Sequence, residues 1–363
     1  MYIKKYKFVN YRNLSDKEIT LAKGINIICG ENAQGKTNLI EGMYLFSGQR
    51  SFRGSKDSEL IGFEKQKAKL KITFWSHERE QEAEIEIEQH RKITLNGVPL
   101  KSTTEIGEQC HIVVFSPDLL SIIKESPEDR RKFLNSGIGA MYPLYSEHLK
   151  KYNRILAQRN NLLKQVKKEQ SYRDLIEEYD VALAKFGAYI VNTRRRYILR
   201  LMQYLPTIFE EFTSSREKIE IEYICQNYDG SEESLLKVLR KNRDNDILFG
   251  TTSVGPQRDD IEFLINGKSA KNFGSQGQQR SVIIAVKLAE AEMLKEICGE
   301  QPVALLDDVM SELDERRQDY ILNHIKNWQV FITCCDSATI ERLKKGKVFH
   351  VSGGKVLRKG KAN

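Results

Sequence analysis

Between residues 68 and 95 the chain alternates apolar and polar positions. Leu70, Ile72 and Phe74 form one run, Ala83, Ile85 and Ile87 a second, Ile93 and Leu95 a third. Successive side chains on a strand point to opposite faces, so a period of two predicts strands with one face on a core. Asn96-Gly97 closes the third run and predicts a tight hairpin, and Asn266-Gly267 predicts another. From Leu149 the pattern changes. Leu149, Tyr152, Leu156, Leu163 and Val166 follow helical spacing, as do Tyr179, Leu183, Phe186, Ile190, Tyr197, Leu201, Leu205 and Phe209. Ser126-Pro127 with Asp129 reads as a capped helix start. The expectation is a head built from residues 1–115 and 247–363, with 116–246 inserted as an arm of paired helices. These helices are too short and irregular for a long coiled coil. No internal repeat or low-complexity linker interrupts the pattern.

Chemistry enters at the end of an apolar run, Ile25-Asn26-Ile27-Ile28-Cys29. There the chain reads Gly30-Glu31-Asn32-Ala33-Gln34-Gly35-Lys36-Thr37 before the helix-like Asn38-Leu39-Ile40-Glu41. A strand, a loop of this G-x-x-x-x-G-K-T form and a helix turn backbone N–H groups inward, and the helix N-terminus adds partial positive charge. Gly30 and Gly35 permit the turn and the close approach of phosphate. Lys36 is placed to reach β- and γ-phosphates, and Thr37 to ligate Mg²⁺. ATP with Mg²⁺ is the expected cofactor pair.

A second segment far along the chain completes such a site. Val303-Ala304-Leu305-Leu306 reads as a buried strand delivering Asp307 and Asp308 to a sheet edge. Asp307 suits a Mg²⁺ ligand, and Asp308 suits a group that orients or deprotonates the attacking water. Ser311-Glu312-Leu313-Asp314 follows. Upstream, Gly274-Ser275-Gln276-Gly277-Gln278-Gln279 opens the apolar helix Val282 to Leu294. A Ser hydroxyl, a glycine and a helix start suit an anion.

This order of segments resembles the ABC-type ATPases, whose signature motif reads L-S-G-G-Q. Here Ser275-Gln276-Gly277-Gln278 occupies the S-G-G-Q positions, with Gln276 for the first glycine. More closely, the chain resembles the RecF family of SMC-type ATPase heads over essentially its full length. Asn10-Tyr11-Arg12-Asn13, Ser51-Phe52-Arg53, Glu59-Leu60-Ile61 and Val114-Phe115-Ser116-Pro117-Asp118-Leu119 carry the likeness. So do Ser126 through Leu134, Gly255-Pro256-Gln257-Arg258-Asp259-Asp260 and Ser275 through Arg280.

The resemblance implies an α/β ABC/SMC-type head: a mixed sheet with the phosphate loop, an antiparallel β-subdomain and an inserted helical arm. It also implies an ATP-dependent homodimer in which the signature loop of one subunit caps the γ-phosphate held by the other, with Arg12 near the phosphates. By the same resemblance, the protein is a weak DNA-dependent ATPase that clamps single-strand gaps and duplex junctions. It works with RecR and RecO to load RecA in gap repair, replication restart and the SOS response. Departures exist. Phe52 and Gln257 stand where the family usually has His. The stretch Phe331-Ile332-Thr333-Cys334-Cys335-Asp336 lacks the switch His of ABC ATPases, leaving Thr333 or Asp336 as stand-ins. Gln109 carries only a weak claim to the Q-loop role, and slow hydrolysis is the expectation.

Composition adds a bias toward polyanions. Of 363 residues, 58 are Lys or Arg and 50 Asp or Glu, a formal charge of +8 with a pI near 9.0. Candidate DNA-backbone contacts are Arg130-Arg131-Lys132, Lys150-Lys151, Lys167-Lys168, Arg194-Arg195-Arg196 and the tail from Lys344-Lys345 to Lys361. Three consecutive arginines cannot share one helix face. No helix-turn-helix or zinc spacing appears, so sequence-tolerant contacts are expected. Six dispersed cysteines without a C-x-x-C pair read as reduced thiols. No apolar run reaches membrane-spanning length and the start is no signal peptide, so a cytoplasmic, nucleoid-associated protein is expected. An ABC transporter subunit, a long SMC clamp and a small-molecule kinase fit less well. The first lacks a use for the helical insertion, the second needs longer heptads, and the third would waste the signature loop.

Overall fold

The structure, a computed structural model, describes residues 1–120, 122–214, 217–335 and 346–358. Its N-terminal part carries β1 (Tyr2–Val9), β2 (Lys17–Thr20), β3 (Ile25–Cys29), β4 (Ala68–Ser76), β5 (Arg79–Ile87), β6 (Arg91–Leu95), β7 (Val98–Pro99) and β8 (Ile112–Phe115). The middle adds β9 (Ile219–Ile224), β10 (Asp260–Ile265) and β11 (Lys268–Ser269). The C-terminal part adds β12 (Val303–Leu306), β13 (Val330–Cys334), β14 (Gly346–Ser352) and β15 (Lys355–Arg358). Packing divides the chain into two compact units. The first holds Met1–Leu120, Glu211–Ser214 and Ile283–Asn363, the second Ser121–Glu210 and Ser215–Val282.

The first unit contains two six-stranded sheets. One runs β2-β1-β4-β5-β6-β7 and is antiparallel throughout. The period of two sets its faces: Leu70, Ile72, Phe74, Ala83, Ile85 and Ile87 are all fully buried. The opposite face carries lysines of β4 against glutamates of β5, with Lys69 Nζ 2.9 Å from Glu84 and Lys71 Nζ 2.7 Å from Glu82. Asn96 (φ 51°) and Gly97 (φ 79°) make the two-residue turn between β6 and β7.

The other sheet runs β15-β14-β3-β13-β12-β8, parallel except for the β14–β15 hairpin. Its strands β8, β12 and β13 (IVVF, VALL and VFITC) are buried at every position, the continuous apolar composition that parallel strands need. Leu39, Ile40 and Met43 of the helix Lys36–Tyr44 share one core with Tyr6, Phe8, Ile72 and Phe331.

In the second unit, helices Pro143–Val166 and Ile176–Leu201 pack against each other, joined by Pro127–Met141, Glu232–Lys241 and Arg243–Phe249. Ser126 caps the first of these, its Oγ accepting from Asp129 N at 3.3 Å. The second apolar stripe was expected to continue through Phe209. Instead one helix ends at Leu201 and a new one spans Leu205–Thr213. Pro206 has no N–H to donate and crowds the residue before it, which breaks a continuous helix there. The three-stranded sheet β11-β10-β9 pairs Ile219 with Ile265 through Ile224 with Asp260. Residues 247–282, grouped with the head from sequence, therefore pack in the second unit, because β10 cannot leave its partner β9.

Candidate nucleotide site

Three parallel strands bring the phosphate loop and the acidic pair together. β13 lies between β3 and β12, so residues following β3 and β12 emerge at one edge on either side of Thr333. The loop then enters the helix Lys36–Tyr44 with Gly35 at the N-cap, φ 113°. No side chain caps this end, and no acid stands in its first turn. The N–H groups there remain available to an anion. Two glycines make the loop possible. A Cβ on Gly30 would sit 2.2 Å from Val351 O of β14, and one on Gly35 would sit 2.9 Å from both Asn13 Oδ1 and Leu14 Cδ2.

Lys36 is buried and runs back along its own loop. Its Nζ donates to Gly30 O at 2.7 Å and Glu31 O at 2.9 Å, and lies 3.1 Å from Cys335 Sγ. Asn32 Oδ1 accepts from Cys335 Sγ at 2.9 Å. Ala33 holds a left-handed backbone, φ 62°. Gln34 anchors the loop to the β14–β15 turn: its backbone O accepts from Gly354 N at 3.2 Å and its Oε1 from Gly353 N at 2.5 Å.

On the acidic side, Asp307 is 4% exposed. Its Oδ1 accepts from Thr37 Oγ1 at 3.1 Å and from Thr333 Oγ1 at 2.9 Å. Burial pushes the Asp307 carboxyl above its ordinary value, and the Asp308 charge pushes the same way; the two threonine hydrogen bonds oppose them. Thr333 has a second task, because its Oγ1 accepts from Asp308 N at 2.8 Å. Asp308 adopts φ 54°, a left-handed conformation that Asp tolerates better than most residues and that recurs where function dictates the backbone. Ser311 Oγ donates to Asp308 O at 2.8 Å.

A cleft of about 400 Å³ opens over this cluster. Asn32, Gly35, Lys36, Thr37, Asp308 and Thr333 line it, together with Arg12 and Arg53. Arg12 makes a bidentate ion pair with the buried Glu41, at 3.0 Å from Nε and 2.7 Å from Nη2. Arg53 was not singled out from sequence as a site residue. Its only signal was the Ser51-Phe52-Arg53 likeness, yet it lines the cleft and donates to Asn38 Oδ1 at 3.0 Å.

The signature loop belongs to the second unit and forms a reciprocal helix cap. Gln278 N donates to Ser275 Oγ at 3.2 Å, and Ser275 N donates to Gln278 Oε1 at 2.8 Å. As an acceptor in that cap, Ser275 still has its own O–H to donate. Gln276 and Gly277 begin the helix Gln276–Cys298, and Gln278 Nε2 donates to Glu217 Oε1 at 2.7 Å. Among the described residues, the cleft itself is lined by the first unit alone.

Comparison with known proteins identifies the family. Residues 2–355 match the family described as RecF/RecN/SMC N terminal domain. The DNA replication and repair protein RecF of Clostridium kluyveri is 42% identical over 364 residues, covering 99% of this chain and all of that one. The chain belongs to the RecF family. RecF of Clostridium perfringens is 38% identical, covering 98% of this chain and 99% of that one. The solved structure of "the recombination mediator protein RecF-ATP in RecFOR pathway" superposes with a TM-score of 0.92 at 38% identity, covering 99% and 98% of the two chains. An SMC head domain from Pyrococcus furiosus, 17% identical with a TM-score of 0.55, shares the fold. The α/β ABC/SMC-type ATPase head is thus the architecture of this RecF-family protein.

The remaining candidates sort by burial. Asp336 and the tail from Lys344-Lys345 to Lys361 fall, except for residues 346–358, outside the described residues. Gln109 lies beyond the helix Thr103–Gly107 and does not line the cleft. Phe52 packs edge-on to Tyr44, and Gln257 accepts from Tyr152 Oη; both are structural. Two arginines proposed for DNA are instead internal ties of the second unit. Arg130 pairs bidentately with Asp260, and the fully buried Arg194 donates to Tyr145 Oη, Tyr223 Oη, Asn135 Oδ1 and Pro256 O. Both therefore clamp the Gly255–Asp260 segment. Arg196, Lys150, Lys151, Lys167 and Lys168 remain exposed.

The residues present fit ATP with Mg²⁺. Thr37 and Asp307 place two oxygens side by side, and among the described residues no group of three His, Cys, Asp or Glu forms a metal cage. Mg²⁺ is characteristically held by one or two protein oxygens, with phosphate oxygens and water completing its shell.

Proposed function

We propose that this protein is an ATP-dependent, DNA-binding recombination mediator with a weak DNA-stimulated ATPase. The observation that carries it is the contact of Thr37 with Asp307 and of Thr333 with both aspartates, which joins two distant segments into one nucleotide site. When bound, Mg²⁺ supplies charge neutralisation at the phosphate oxygens. Gly30 through Thr37 cradle the phosphates, with Glu31, Asn32, Ala33 and Gln34 shaping the loop and Lys36 supplying a cation. Thr37 and Asp307 hold the metal, and Asp308 orients the water or takes its proton. Arg12 adds a second cation at the cleft.

Ser275, Gln276, Gly277 and Gln278 of a second copy complete the site, the Ser275 O–H donating to phosphate. Nucleotide thus favours a homodimer closed on DNA, and hydrolysis reopens it. Contacts are to the backbone and salt-sensitive, at single-strand gaps and their duplex junctions. RecR and RecO are the partners this reading implies, and loading of RecA its outcome, in the cytoplasm at the nucleoid. Helices of 24 and 26 residues reach about 36–39 Å, far short of an SMC coiled coil. No described helix is long and apolar enough to cross a membrane.

Fluorescence anisotropy on gapped duplex DNA tests the reading. ATP with Mg²⁺ should tighten DNA binding by wild type and by Asp308→Asn, which binds ATP but turns over poorly, and should do nothing for Lys36→Met. Equal affinity and stoichiometry with and without ATP in wild type would overturn it.

A further inference from the structure

One fully buried carboxylate under the cleft has no part in the phosphate loop or the acidic pair. Glu41 lies within the helix Lys36–Tyr44 and is 0% exposed. Arg12 Nε and Nη2 donate to it, as do Tyr11 Oη at 3.4 Å and Ser51 Oγ. Ser51 Oγ in turn accepts from Arg53 N at 3.1 Å. Arg12 Nη2 also donates to Ser55 Oγ at 2.7 Å, tying the two arginine-bearing turns to each other. The approach is tight: a Cβ on the next residue, Gly42, would meet Tyr6 Oη at 2.1 Å and Tyr11 Cε1 at 3.1 Å.

These contacts converge on the two arginines that line the cleft. Arg12 uses Nε and Nη2 on Glu41, which leaves its Nη1 edge outside that pair. A bidentate pair fixes the plane of a guanidinium, so that edge has a set direction. Arg12 itself sits at φ 52°, a left-handed backbone that the surrounding contacts must hold. Arg53 is secured one step further out, through the Ser51 hydroxyl. A charge left unpaired at the position of Glu41 would be strongly disfavoured, so the carboxylate requires Arg12 as firmly as it directs it.

We infer that Glu41 is a positioning residue that presets Arg12 and Arg53 for the phosphates of a nucleoside triphosphate. This rests on the reading of the cleft as the ATP site. Preorganised cations lose less freedom when the ligand arrives, so the effect belongs in affinity. Glu41 touches no phosphate; it acts through the arginines.

A double-mutant cycle read by titration with fluorescent MANT-ATP and Mg²⁺ tests this. Glu41→Gln should weaken binding about tenfold, near the worth of one charge-assisted hydrogen bond. Arg12→Ala should weaken it similarly, and the double variant should bind no worse than Arg12→Ala within about twofold, because both changes remove the same contact. A merely structural Glu41 would give additive losses, or a lower melting temperature with unchanged affinity, and either overturns the inference. Should Glu41→Gln fail to fold, Ser51→Ala loosens Arg53 without stranding a charge. It should weaken binding severalfold and be non-additive with Arg53→Ala, and wild-type affinity would again overturn the inference. Lys36→Met separates the two claims. If it binds as wild type does, the nucleotide site itself is misassigned. If it loses binding while Glu41→Gln keeps it, only the positioning role falls.

Discussion

Thr333 connects the two halves of the acidic pair through one hydroxyl, donating to Asp307 and accepting from Asp308 N. Thr333→Val keeps the shape and removes both bonds. It should cost about 1–3 kcal/mol in urea unfolding, the usual range for a buried polar group left unpaired, and lower kcat by freeing the Asp308 backbone. It should also shift a pH profile. The Asp307 carboxyl is already raised by burial and held down by its threonine bonds, so losing one raises it further. Metal binding needs the carboxylate, so Mg²⁺–ATP affinity should fall on acidification, and at higher pH in Thr333→Val than in wild type. Stability runs the other way. A raised folded-state value contributes stability below the unfolded value that is lost as pH rises through the folded one. Affinity that is flat across that pH range in both proteins would contradict this.

At this scale the meeting of Thr37 with Asp307 was legible, because each of the two motifs is local in sequence. The tasks of Thr333, Glu41 and Arg53 were not, since they depend on strand order and on a helix meeting two distant turns.

Elements explain why the loop tolerates so little change. β3 and β14 pair in parallel, and Gly30 leaves β3 where the backbone of Val351 passes. Gly30→Ala should therefore strain β14 and cost about 1–3 kcal/mol by denaturant unfolding, the range for overpacking a close contact. Gly97→Ala, with open space around it, meets only the left-handed penalty of about 1–2 kcal/mol. Equal losses together with intact nucleotide binding in Gly30→Ala would refute the close-approach explanation.

In the second unit, the helix pair hides a polar network. Arg159, fully buried, pairs with Asp180 at 2.7 Å and with Asp246 at 2.8 Å. Asp180→Ala leaves part of that charge uncompensated and should cost about 3–5 kcal/mol in thermal or urea unfolding. A loss below 1 kcal/mol would show that Asp246 suffices alone. The helical stripes as far as Leu201, the two-period strands and both Asn-Gly turns could be read directly, because spacing encodes them. The buried arginines could not. Arg159 and Arg194 look like surface residues of amphipathic helices until the carboxylates and carbonyls facing them are known.

At the scale of the whole molecule, one unit carries the cleft and the other carries the Ser275–Gln278 loop. Family membership followed from motifs in order along the full chain, and the division into units did not, because the pairing of β9 with β10 carries the second boundary to Val282. The proposed completion of this site by a second copy makes assembly depend on nucleotide. The decisive measurement is solution mass by light scattering, with ATP and Mg²⁺, for Asp308→Asn alone and combined with Ser275→Arg. Given the proposed role of Asp308, Asp308→Asn should keep turnover from dissolving the complex. Ser275→Arg removes the cap hydroxyl and fills the loop at a cap cost of about 1 kcal/mol. Doubling of mass in the first protein, with a second that binds ATP and stays monomeric, is the predicted result. A mass indifferent to nucleotide, or a Ser275→Arg protein that doubles as readily, would contradict the ATP-driven dimer.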